Sequence, residues 1–98
     1  MSSNTWAIII NPQSGAGKTQ KKWRQIDAEL QGLEVDYNLH WTESPEHAIE
    51  IARQCRATGF TKFFAIGGDG TIQEVVNGVL AQGYSDEFVF GALPMGTG

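Results

Sequence analysis

Cysteine is almost missing from this chain: Cys55 stands alone among 98 residues. A lone thiol closes no internal disulfide, so the fold must rest on packing, and a reducing compartment fits. At its helical apolar position, Cys55 reads as a buried structural thiol. No apolar run approaches the roughly 20 residues of a spanning helix. The stretch Trp6 to Ile10 is too short for the apolar part of a signal peptide and has no charged segment before it, so the chain reads as cytoplasmic. Basic charge is also in deficit. Seven Lys and Arg against 11 Asp and Glu leave a net charge of −4, which provides no footprint for nucleic acid and no general pull toward anionic lipid. Any membrane contact must be local and transient, at most peripheral. His40 and His47 share no ligand spacing with other His, Cys or acidic residues, so no side-chain metal cluster is expected and both read as surface residues.

What the chain does have is glycine, 12 residues of it, and 41% apolar content, enough for one modest core and one domain. Extended and helical segments alternate, the pattern of a parallel sheet with crossover helices. Trp6 to Ile10 is continuously apolar, as a strand buried on both faces should be. Lys18 to Leu33 carries Trp23, Ile26, Leu30 and Leu33 at helical spacing. Val35, Tyr37, Leu39 and Trp41 alternate with polar residues, marking a half-exposed edge strand. Ser44 and Pro45 look like N-cap and first residue of a second helix with inner face Ala48, Ile51, Ala52 and Cys55, ended by Gly59. Lys62 to Ile66 is the third strand. A helix opening at Thr71 has Ile72, Val75, Val76, Val79 and Leu80 on one face and stops at Gly83. Phe88 to Ala92 is the fourth strand. The tryptophans Trp6, Trp23 and Trp41 read as core or sheet-face residues.

An edge second strand beside buried first and third strands predicts an α/β, three-layer fold with strand order 2-1-3-4, right-handed crossovers placing successive helices on opposite faces. Ligands in such sheets bind beyond the carboxyl ends of the strands at the switch point. Two glycine-rich loops converge there, Asn11 to Gly17 and Gly67 to Thr71, and a third, Leu93 to Gly98, leaves the fourth strand on the same side.

Gly67-Gly68-Asp69-Gly70-Thr71 carries the most chemistry. A strand entering a helix through a turn nearly free of side chains presents backbone N–H groups and a positive dipole end, which together suit phosphate. Asp69 is an acceptor-only carboxylate, repelled by phosphate unless a metal or a transferable proton lies between them, so it argues for catalysis. The competing reading, a tight turn, rarely needs three glycines around an acid. Thr71 and Glu74 have capping-box spacing, and that structural role is favoured for Glu74. Thr42 is either the last strand residue or part of the Ser44 cap. Lys18, Lys21, Lys22 and Arg24 oppose the dipole of their helix; a phosphate or lipid headgroup would rationalise them, with a solvated face as the default. Gly15-Ala16-Gly17-Lys18-Thr19 is not a standard P-loop, because Pro12 stands where GxxxxGK[ST] needs glycine. Both GxG pairs also lack the third glycine of the dinucleotide fingerprint, with Gln20 and Gln73 in its place.

Taken together, Asn11-Pro12-Gln13-Ser14-Gly15, Gly67 to Thr71 followed by Glu74-Val75-Val76-Asn77-Gly78, and Leu93-Pro94-Met95-Gly96-Thr97 resemble the catalytic domain of the diacylglycerol kinase family of lipid kinases. That family shares its GGDGT loop with the NAD kinases, and the NPxSG segment favours the lipid-kinase branch. The resemblance runs the whole chain in order. It implies ATP and Mg²⁺ as cofactors, a lipid alcohol such as diacylglycerol as substrate, and Asp69 as catalytic residue. It further implies ATP contacts from Asn11, Pro12, Gln13, Ser14 and Gly15, from Thr42, from Gly67, Gly68, Asp69, Gly70, Thr71, Ile72 and Gln73, and from Thr97. The family usually has Asn at the position of Gln73. Its motif continues into an Asn-Asp pair and a β-rich domain, so residues 1–98 are expected to form the N-terminal nucleotide-binding lobe, inactive by itself. Asp69 is expected to act either as general base or as an outer ligand of Mg²⁺ through water. An NAD kinase relative and a non-catalytic nucleotide-binding domain are the alternatives.

Overall fold

The computed structural model describes residues 4–13, 18–44 and 46–95. Its elements are β1 (Trp6–Ile10), α1 (Lys18–Gly32), β2 (Tyr37–Trp41), α2 (His47–Thr58), β3 (Lys62–Gly67), α3 (Asp69–Leu80) and β4 (Val89–Pro94). The sheet has the expected order β2-β1-β3-β4 with every neighbouring pair parallel, and Ile8 sits opposite both Leu39 and Phe64.

Strand alternation sorts the core into two layers. Ala7, Ile9, Phe63 and Ala65 face α2 and α3, packing with Ala48, Ile51, Ala52, Cys55, Val75 and Val79. Ile8, Ile10 and Ile66 face α1 and meet Trp23, with Ile26, Leu30, Leu39 and Trp41 packed around them. All three tryptophans belong to this layer. The expectation that successive helices lie on opposite faces therefore holds for α1 and α2 but not for α2 and α3, which share one face. Both later crossovers step in the same direction along the sheet, and right-handed connections made in one direction stay on one side.

Several boundaries also differ from the sequence reading. Leu33 lies beyond α1 and is 73% exposed, not part of the buried stripe, because the left-handed turn at Glu34 (φ 57°) redirects the chain. Helix α2 starts at His47 instead of Pro45, which lies outside the described residues, and its N-cap is Glu46 in a left-handed conformation, not Ser44. The turn is closed by the His47 amide donating to Ser44 O and by His47 Nδ1 accepting the Glu43 N–H at 2.9 Å. His47 is thus a structural partner instead of a free surface residue. Gly59 does end α2, at φ 111°; its N–H reaches Arg56 O while the Phe60 N–H reaches Cys55 O, the two bonds of a Schellman turn.

Helices α2 and α3 approach closely at Gly78. A Cβ placed there would lie 2.5 Å from Ile49 O and 2.9 Å from Ala52 Cβ, both on α2. Because backbone must move to admit a methyl group, Gly78→Ala is expected to destabilise the fold by about 1–3 kcal/mol, the usual cost of overpacking. A melting temperature equal to wild type would contradict this contact.

Candidate functional site

At the carboxyl end of the sheet, hydrogen bonding continues past the strands into the loops. The Asn11 N–H donates to Ile66 O at 2.9 Å, Thr42 N–H to Ile10 O at 2.9 Å and Met95 N–H to Gly67 O at 2.8 Å. These rungs bring the exits of β1 and β2 beside the start of α3. Between them lies an open cleft of about 360 Å³ lined by Asn11, Gln13, Thr42, Gly68, Gly70 and Thr71. That volume falls in the lower part of the range of ligand sites, about 300–1,000 Å³.

Helix α3 begins at Asp69, one residue after β3, rather than at Thr71. Gly67 completes the strand opposite Pro94, and Gly68 is the N-cap with φ −75° and ψ 179°. The first bond of the helix runs from the Ile72 N–H to Gly68 O, so the amides of Asp69, Gly70 and Thr71 precede the intrahelical ladder. Thr71 is then inside the helix and buried, and no side chain among the described residues caps α3. This overturns the capping box: Glu74 instead lines the cleft, on the helix face it shares with Gly70 and Thr71.

Neither glycine lining the cleft at the start of α3 is demanded by its backbone conformation or by the described residues around it. Gly68 has an extended backbone that any residue adopts, Gly70 is helical, and a Cβ added at either meets nothing within 4 Å among the described residues. In a helix, glycine costs about 0.5–1 kcal/mol against alanine. The tight-turn reading of these two positions therefore fails, and both leave the cleft wall without side chains at the start of α3.

The remaining expected contacts divide clearly. Pro12 borders a separate cavity with Gln20, Trp23, Arg24 and Trp41 on the α1 side. Gly67 is buried in β3, while Asp69 and Gln73 are exposed. Ile72 packs partly buried against the core and its amide is bonded to Gly68 O. Ser14, Gly15 and Thr97 lie outside the described residues. Ser44, Glu46, Ala48 and Glu74 line the cleft without having been expected there. For Glu74 the signal was its spacing from Gly70 once the helix start is known. For Glu46 nothing in the residue type announced a left-handed backbone.

Away from the cleft, His40 is half-buried rather than on the surface, with Nε2 3.6 Å from Cys55 Sγ. Burial lowers the His40 pKa below its ordinary value of 6.5 and raises the buried Cys55 thiol to about 11. The imidazole is therefore neutral at pH 7 and the thiol is not a nucleophile there. Among the described residues no group of three or more His, Cys, Asp or Glu is placed to hold a metal ion, and no helix is long and apolar enough to cross a membrane.

The arrangement recurs in known proteins. Residues 5–98 match the family model described as the diacylglycerol kinase catalytic domain. A diacylglycerol kinase of Bacillus subtilis is 32% identical over 90 residues, covering 92% of this chain and 29% of that protein. Human sphingosine kinase 1 is 31% identical over 74 residues, covering 74% of this chain and 19% of the kinase. The crystal structure of a diacylglycerol kinase from Bacillus anthracis superposes with a TM-score of 0.78 at 25% identity, over 99% of this chain and 35% of the other. This chain thus spans about a third or less of the length of each. With its sheet order, its GGDGT strand-to-helix junction and a family match across nearly all of its residues, the chain belongs to the diacylglycerol kinase catalytic domain family.

Proposed function

We propose that this chain is the nucleotide-binding portion of an ATP-dependent lipid kinase that passes the γ-phosphoryl group of ATP to a hydroxyl of diacylglycerol or a related lipid. The observation that carries this reading is the pair of glycines, Gly68 and Gly70, at the cleft although neither their backbone nor the described residues around them require glycine. Phosphate is the ligand chemistry that uses bare backbone N–H groups at a helix start. The phosphates would lie between the Asn11 to Gln13 loop and the Gly67 to Thr71 junction, with Thr42 and Glu74 lining the same space.

In the proposed reaction the lipid hydroxyl oxygen bonds to the γ-phosphorus as the bond to the β,γ-bridging oxygen breaks, releasing ADP. The hydroxyl proton passes to Asp69 if that carboxylate is the base. Such transfers depend on positioning and charge stabilisation more than on covalent help. Mg²⁺, when bound with ATP, would neutralise phosphate charge, and Asp69, if it is not the base, would hold it as an outer ligand through water. The lengths of the relatives support the lipid being held by sequence other than these residues. Lys18, Lys21, Lys22 and Arg24 are exposed along α1 and would serve a transient contact with a membrane surface.

Calorimetric titration with Mg-ATP tests the site, and turnover of a lipid alcohol panel by this sequence joined to the remainder of a relative's catalytic region tests the reaction. Binding without transfer to any lipid would favour a regulatory nucleotide domain. Transfer to NAD in place of lipid would put the chain in the other branch, and absence of ATP binding would remove the site.

A further inference from the structure

Asparagine has one acceptor oxygen and one donor nitrogen, and Asn11 uses both ends within the protein. Its Oδ1 accepts the Gln13 N–H at 2.9 Å, folding its own loop into an Asx turn. Its Nδ2 donates to Thr71 Oγ1 at 3.2 Å, reaching across to the first turn of α3. The backbone of Asn11 is held as well, through its N–H to Ile66 O at the end of β3. One residue therefore ties together the β1 exit, the β3 exit and the start of α3. Core packing of Val75 and Val79 fixes the body of α3, and the bond from Asn11 adds a tie at its first turn, one residue beyond β3.

We infer that Asn11 and Thr71 form a strut that sets the spacing of the two loops flanking the cleft, making Asn11 a positioning residue. Its influence on the nucleotide passes through Gln13 and the amides of Asp69 to Thr71. This deepens the nucleotide reading of the cleft and rests on it. Phosphate seated on the amides of Asp69 to Thr71 and walled by the Asn11 to Gln13 loop needs the two loops at a fixed separation, since a misplacement of about 1 Å loses much of the benefit of orientation.

The test is a double-mutant cycle on ATP affinity, with melting temperature measured alongside. Thr71→Val removes the hydroxyl while keeping the branched shape, Thr71→Ser keeps the hydroxyl, and Asn11→Ala removes both Asn11 side-chain bonds. Thr71→Val is expected to weaken ATP binding roughly 3- to 10-fold, the range of one net hydrogen bond, and Thr71→Ser to restore it. The double variant should bind no more weakly than Asn11→Ala alone, because two ends of one interaction are not additive. In the nucleotide-free protein, Thr71→Val should also shift the Gln13 amide resonance. Losses that multiply in the double variant would make Asn11 a direct ligand and overturn the strut, as would wild-type affinity in Thr71→Val or an unmoved Gln13 resonance. If the wild-type chain binds no ATP, the nucleotide reading falls instead, and the Gln13 resonance then decides by itself whether the two loops are coupled.

Discussion

Replacing Asp69 with asparagine is expected to lower kcat for lipid phosphorylation by roughly 10²–10⁴, the usual worth of a general base, in an active protein carrying this chain. The competing account is that Asp69, the first residue of α3, only favours the helix start through its charge. That role is worth about 0.3–1 kcal/mol, far too little for such a loss. Asparagine keeps the size and most of the hydrogen-bonding capacity of aspartate, so the comparison isolates the charge. ATP affinity should change less than kcat. Wild-type turnover in Asp69→Asn would remove this residue from the mechanism.

Substitution at the glycines should move stability and binding in opposite directions. Gly70 is helical and no described residue lies within 4 Å of an added methyl group, so Gly70→Ala is expected to stabilise the fold by about 0.5–1 kcal/mol. At the same site the new methyl group intrudes on phosphate, and ATP binding should weaken by about 1–3 kcal/mol. Gly68→Val should likewise leave the protein folded while weakening ATP. A higher melting temperature together with poorer binding is the signature. Loss of folding in both variants would restore the turn explanation, and unchanged ATP affinity in folded variants would remove the phosphate site.

The architecture was legible because strand burial leaves a plain mark on residue type. Trp6 to Ile10 is apolar on both faces, whereas the segment ending at Trp41 alternates, and that contrast puts the first strand inside the sheet and the second at its edge. The cleft was legible in outline through its glycine-rich loops, since strand order tells which loops meet. Helix starts were less so. Thr71 and Glu74 satisfy the capping-box pattern, yet the helix begins earlier because Gly67 prefers to finish β3 and Gly68 serves as N-cap without a side chain. Ser44 and Pro45 looked like a helix start, but Glu46 takes a left-handed backbone that its residue type does not favour, and α2 starts after it. The strut between Asn11 and Thr71 joins residues far apart in sequence, and only the folded sheet brings them together.

The ladder bonds that carry Asn11, Thr42 and Met95 have a calorimetric consequence. Ordering a loop residue costs about 1–2 kcal/mol of backbone entropy, and these three positions have already lost that freedom before any nucleotide arrives. Ligand capture at this edge of the sheet should then show little of the large opposing entropy that accompanies coupled folding and binding. Amide protons at Asn11, Thr42 and Met95 should exchange with solvent at rates closer to those of the strands than of ordinary loops.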